Sequence, residues 1–167
     1  GIFNIFMSMA SITNLIKRVN AGEIIVLDGG TGTELQHRGV KTTLPLWSAQ
    51  ALLTAPDVVR QIHRDYVTAG ADVIKANTFR TNRRTLAKAG IADRDAELTK
   101  LAITLARQAI EQAGAGREVF IGGSQTTLED CYEPSLVPDD GTALAEHRRW
   151  SQTLAEGGAD FIFLETF

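Results

Sequence analysis

Cysteine is almost absent from the chain: one residue, Cys131, stands among 167. A single thiol excludes an internal disulfide framework and any zinc site built from several thiolates of this chain, and it fits a reducing cytoplasm. A basic excess is missing as well. Seventeen Lys and Arg against 20 Asp and Glu give a formal net charge of −3, which leaves no surplus to neutralise a phosphate backbone or hold an anionic membrane. No apolar run approaches the roughly 18 residues that span a bilayer. The first twelve residues, GIFNIFMSMASI, are fairly apolar, yet no basic residue precedes them, and Lys17 and Arg18 fall on the wrong side for a signal peptide. These absences point to a soluble cytoplasmic protein of one domain's length, with neither nucleic acid nor membrane as partner. Met7 and Met9 follow closely on Gly1, so no function is assigned to residues 1–8.

What is present is a repeat. Four times an Ala-Gly or Gly-Gly pair is followed within a few residues by a β-branched or aromatic run: Ala21-Gly22 before EIIVLDGG, Ala69-Gly70 before ADVIKANTF, Ala113-Gly114 before AGREVFIGGS, and Gly157-Gly158 before ADFIFLETF. The glycines recur at 22, 70, 114 and 158, and intervals of 48, 44 and 44 residues accommodate a strand, a loop, a helix and a return turn. Glycine at such a position ends a helix, because it accepts the left-handed conformation there. The second and fourth copies also share Gly-Ala-Asp, and Asn77-Thr78-Phe79 matches Glu165-Thr166-Phe167.

Helical periodicity fills the intervals. Thr54, with Pro56 and Asp57 behind it, predicts a capped helix start. Leu98, Leu101, Ala102, Leu105, Ala106, Ala109 and Ile110 lie on one face of a helix that ends at Gly114. A further helix over about residues 142–156 is expected to turn Leu144, Trp150 and Leu154 inward. The strands are short continuous apolar runs, as in parallel sheets buried on both faces. Alternation of this kind gives an α/β fold with a parallel sheet. An open doubly wound sheet and a (β/α)8 barrel both fit, and both place Asp28, Asn77, Ser124 and Glu165, at the C-terminal ends of the strands, on the functional edge. Four such units favour the barrel, of TIM type, with this chain as about its first four βα units, a half-barrel fragment. The fourth strand then lacks its covering helix.

The sharpest motif is Leu27-Asp28-Gly29-Gly30-Thr31-Gly32-Thr33-Glu34-Leu35. Adjacent glycines let backbone amides approach a ligand closely, and the carboxylate beside them can hold an ammonium. A dinucleotide fingerprint would need a third glycine at position 35, where leucine stands. The phosphate loop of actin-like sugar kinases also reads Asp-x-Gly-Gly-Thr, but joins antiparallel strands.

The segments LDGGTGTELQHRG, LWSAQALLTAPDVVRQIHRDYVTAGADVIKANTFRTN, GGSQTTLEDCYEPSLVPD and GGADFIFLETF together resemble successive blocks of the homocysteine S-methyltransferase family, from about Ile24 to Phe167. The resemblance implies residues 1–20 as an N-terminal extension and lead-in helix, and 21–167 as the first half of a homocysteine-binding barrel. It implies methyl transfer from a sulfonium or betaine-type donor to the homocysteine thiol, giving methionine. Asp28 and Glu165 correspond to the carboxylates that hold the substrate's amino group, and Gly29, Gly30 and Thr31 to the loop shaping the amino-acid site. Trp47 and Asn77 match positions near the methyl-donor pocket, where an aromatic face suits a sulfonium or quaternary ammonium; Trp47 also fits a plain packing role, and Asp28 and Glu165 a helix-capping one.

In the family, three cysteines of the second half bind zinc. The intact family enzyme therefore implies zinc, and this chain is expected to bind none and, alone, to be inactive: Cys131 matches a loop position, and a catalytic zinc needs three protein ligands. Gln125-Thr126-Thr127 stands where many members carry proline. His37 is expected in a turn and His63 and His147 on helices, as structural residues. Lys75, inside a strand, is unusual, since a barrel lysine can form a Schiff base. Homocysteine, a methyl donor and a second copy of the chain are the expected partners. The alternatives are a non-catalytic amino-acid-binding half-barrel homodimer and an actin-like kinase phosphate-loop protein.

Overall fold

Residues 12–167 are described by a computed structural model, so residues 1–11 of the expected extension lie outside the described residues. Residues 12–20 form helix α1. After it come α2 (Thr31–His37), α3 (Gln50–Thr54), α4 (Pro56–Ala69), β1 (Val73–Ala76), α5 (Arg83–Ala87), α6 (Asp95–Ala113), β2 (Phe120–Thr126), α7 (Asp140–Gly157) and β3 (Phe161–Glu165). No helix among the described residues is long and apolar enough to cross a membrane.

The repeat glycines do what their spacing requires. Gly22, Gly70, Gly114 and Gly158 all have positive φ, at 80°, 111°, 56° and 92°. The last three are the C-caps of α4, α6 and α7. A side chain is strained in that conformation, so glycine lets each long helix stop and the chain turn back toward the sheet.

The sheet is parallel, with strand order β1-β2-β3. Sequential order without a reversal is what a barrel wall requires, whereas a doubly wound sheet reverses at a switch point. Helix α4 packs on β1, α6 on β1 and β2, and α7 on β2 and β3, with α4 against α6 and α6 against α7. Period-two alternation sends Ile74, Ala76, Ile121 and Ile162 toward these helices, into a core with Val67, Ile103, Ala106, Trp150 and Leu154. Lys75, Ser124 and Glu165 lie on the opposite face, where they contact one another.

Four sequence expectations need correction. The run EIIVLDGG was read as a first strand, but it meets β1 only through a bridge between Leu27 and Val73. Two main-chain bonds of a parallel ladder do form, Val73 N to Val26 O at 3.1 Å and Asp28 N to Val73 O at 3.0 Å. The next rung would join Lys75 N to the Asp28 carbonyl. Instead Lys75 N donates to the Asp28 side chain, at Oδ2, 2.9 Å away. The carboxylate has replaced the carbonyl, and the ladder stops.

Thr54 does not cap α4. Ala55 is the N-cap, and the Thr54 hydroxyl instead donates back to Gln50 O within α3. Leu144 is 60% exposed, while Trp150 and Leu154 are buried. Six residues along a helix leave Leu144 about 120° around the axis from Trp150, outside the inward stripe. Nor is every strand covered on both faces. Phe161, Ile162 and Phe163 of β3 are only half-buried, since no strand pairs with its far edge among the described residues.

The shared Gly-Ala-Asp has a structural meaning. Asp72 Oδ2 accepts from Val26 N at 3.0 Å, and Asp160 Oδ2 accepts from Ile121 N at 2.7 Å. Each aspartate, just ahead of its own strand, fixes the start of the preceding strand segment. Asp160→Ala should leave the buried Ile121 N–H without its acceptor and lower stability by about 1–3 kcal/mol. Asp160→Asn, which retains an acceptor oxygen, should recover most of that loss in urea denaturation.

Candidate functional site

The C-terminal edge of the sheet brings together residues far apart in the chain. Gly29, Gly30, Thr31, Gly32, Trp47, Lys75, Asn77, Phe79, Ser124 and Glu165 line one cavity of about 160 Å³, with Asp28 just behind Lys75. Typical small-molecule pockets begin near 300 Å³, so this one takes one end of a ligand. Parallel strands place their C-terminal loops on a single rim, and for that reason residues from successive units meet there.

Charge dominates its floor. Lys75 Nζ lies 3.1 Å from Glu165 Oε1 and 4.0 Å from Asp28 Oδ1. The same ammonium is 5.6 Å from the centre of the Phe163 ring. Glu165 is fixed from its other side by a hydrogen bond that its Oε2 accepts from the Ser124 hydroxyl. Asp28 is 8% exposed, and its Oδ1 has no hydrogen-bond partner. Burial pushes its carboxyl pKa up to about 7, against the Lys75 N–H and ammonium that oppose the rise, with the Glu165 charge adding to it.

The glycines are there for space. A Cβ on Gly29 would lie 2.6 Å from the Tyr66 hydroxyl, and one on Gly32 would lie 2.6 Å from Trp47 Nε1. Tyr66 donates to Gly30 O at 3.4 Å and so props the loop from below. Trp47 has φ of 48°, a left-handed conformation that aromatic residues rarely adopt. Its loop is held by Asn77, whose Nδ2 donates to Ser48 O at 2.9 Å. Asn77 is therefore buried and committed to the Trp47 loop while it lines the cavity.

All seven residues singled out from sequence thus cluster: Asp28, Gly29, Gly30, Thr31, Trp47, Asn77 and Glu165. Sequence reasoning missed the Lys75 bridge and the Tyr66 prop. Lys75 was conspicuous as a charge within an apolar strand, but no local signal names its partners. Thr31 opens α2 directly, without the hairpin that an actin-like phosphate loop requires. His37 closes α2 instead of lying in a turn. His63 is fully buried, which pulls its pKa down to about 4, and His147 bonds through Nδ1 to Gln125 Nε2 at 2.8 Å. A larger cavity of about 350 Å³ between α5, α6 and α7 contains none of the seven.

Asp28 yields a pH dependence. Its folded pKa of about 7 exceeds the ordinary 3.8, so in that interval the folded chain binds protons that the unfolded chain has lost. Its contribution to stability is complete below the unfolded value and declines as pH rises to about 7, by at most about 1.4 kcal/mol per pH unit. Asp28→Asn should abolish this decline and raise the urea midpoint near pH 8, as measured by denaturation from about pH 4.5 upward. Gly32→Ala should displace the Trp47 indole, cost about 1–3 kcal/mol, and shift tryptophan fluorescence.

The homocysteine S-methyltransferase family profile matches residues 25–167. Homocysteine S-methyltransferase 2 of Arabidopsis thaliana is 30% identical, over 95% of this chain and 54% of its own length. A selenocysteine methyltransferase of Astragalus bisulcatus is 38% identical, over 85% of this chain and 38% of its own. The metallated form of the homocysteine methyltransferase MmuM from Escherichia coli superposes with a TM-score of 0.79 at 28% identity, over 91% of this chain and 57% of that one. The chain spans about half the length of the first of these relatives. With the profile matched through nearly the whole described chain, and with this parallel sheet and rim, the protein belongs to the homocysteine S-methyltransferase family.

Proposed function

We propose that this chain forms the amino-acid-binding half of a (β/α)8 methyltransferase. In this reading Asp28 and Glu165 hold the ammonium of homocysteine, and Gly29, Gly30 and Thr31 shape the space beside them. Trp47 lies toward the donor, where its ring attracts a sulfonium or quaternary ammonium. The homocysteine thiol gives up its proton to solvent, its sulfur attacks the donor's methyl carbon as the bond from that carbon to the donor breaks with its electron pair leaving on the donor, and the products are methionine and the demethylated donor.

One observation carries the reading: the two carboxylates already flank a single ammonium, that of Lys75. Two acids around one cation are the arrangement that an amino group requires. The half-buried apolar face of β3, and an edge that pairs with no strand among the described residues, agree with a sheet that continues into further strands.

The side chains described here do not fit the zinc implied by the family. No group of three or more metal-binding residues occurs among the described residues, and Cys131, a free thiol on the loop between β2 and α7, belongs to none. The proposal therefore assigns no metal to this chain and routes no step through one.

Isothermal titration with L-homocysteine tests the assignment. Binding that Glu165→Gln weakens about tenfold or more supports it, since a charge-assisted pair is then lost. No binding to the wild-type chain, or unchanged binding to the variant, overturns it.

A further inference from the structure

Lys75 is the one cationic side chain lining the rim cavity among the described residues. It projects from the middle of β1 onto the face away from the helices, and its ammonium occupies the place between Asp28 and Glu165 that a substrate ammonium would take. A zwitterionic amino acid brings one positive and one negative group to this site. Its ammonium must compete with Lys75 for Glu165, and its carboxylate must find a cation.

Both requirements are met by one movement. We propose that Lys75 is the specificity-determining residue for the substrate's α-carboxylate: it releases Glu165 to the incoming ammonium and pairs with the incoming carboxylate. The inference rests on the amino-acid reading of the site. Lysine suits this exchange because its charge is compact and its four-carbon stem is flexible, so Nζ can shift within the cavity while the backbone stays in the ladder. The Phe163 ring keeps a cation favourable on that side of the site during the shift. After the exchange each carboxylate faces an ammonium, and because the ligand is a zwitterion the net charge of the site is unchanged.

The consequence is selectivity for the zwitterion. An amine without a carboxylate would displace Lys75 and leave it without a counter-charge. A site made of Asp28 and Glu165 alone would bind such an amine at least as well as the amino acid.

Titration of the chain with L-homocysteine and with its decarboxylated analogue, 3-aminopropane-1-thiol, separates these cases. The wild type is expected to prefer homocysteine by about tenfold or more. Lys75→Met should reduce that preference to roughly twofold or less, with amine binding retained or improved, and Lys75→Arg should preserve most of it. Lys75→Gln, which keeps a polar stem, serves as a second neutral variant, and circular dichroism checks the fold of each. Full preference retained in a folded neutral variant overturns the role of Lys75. A wild-type chain that binds neither compound overturns the amino-acid reading itself, and this inference falls with it; binding of both without preference overturns the inference alone.

Discussion

A carboxylate in place of a main-chain carbonyl is the constraint on which the rim is built. Asp28 ends its strand segment by accepting the Lys75 N–H that the ladder would otherwise have used. Three effects follow from this one bond. The backbone after Asp28 is freed from the sheet and turns through Gly29 and Gly30 into α2. The carboxylate is buried at the sheet's edge, where desolvation raises its proton affinity. Lys75, with its N–H tied to Asp28 and its side chain on the same face, brings its ammonium beside that carboxylate and Glu165.

At the opposite end of the strands, aspartate does another task. Asp72 and Asp160 accept backbone N–H groups at strand starts and are met by arginines, Arg18 at 3.1 Å and Arg107 at 3.5 Å respectively. Burial alone would raise the Asp72 pKa, but the Val26 N–H and the Arg18 guanidinium more than offset it and hold the group below its ordinary value. Asp28 is more deeply desolvated and its cation is more distant, so burial wins there. The same side chain is thus a structural anion at one end of the sheet and a proton-binding group at the other.

Much of this was legible in the sequence because local chemistry decides it. The four repeat glycines required left-handed turns, and the apolar stripe of α6 required one buried face, irrespective of what packs around them. The errors fell where a distant or competing partner decides. Thr54 had a nearby carbonyl to satisfy in α3, Leu144 lay off the stripe, and the first strand lost its ladder to a side chain. For the site, apolar patterning places Asp28 and Glu165 at strand ends, but only the family resemblance gave them a shared ligand. Lys75 was visible as an anomaly, and its meaning depended on Glu165, which lies two strands away along the sheet.

The Gly-Ala-Asp ties have an evolutionary corollary. Turns at the strand starts are short and hydrogen-bonded to their neighbours, so an insertion there would break a buried bond. The long loop between β2 and α7 is anchored instead through a side chain, Glu129, which pairs with Arg84 and Lys88. An insertion is therefore expected to cost less in that loop than at the strand starts. New ligand preferences can arise in the rim loops while the scaffold beneath them is inherited unchanged.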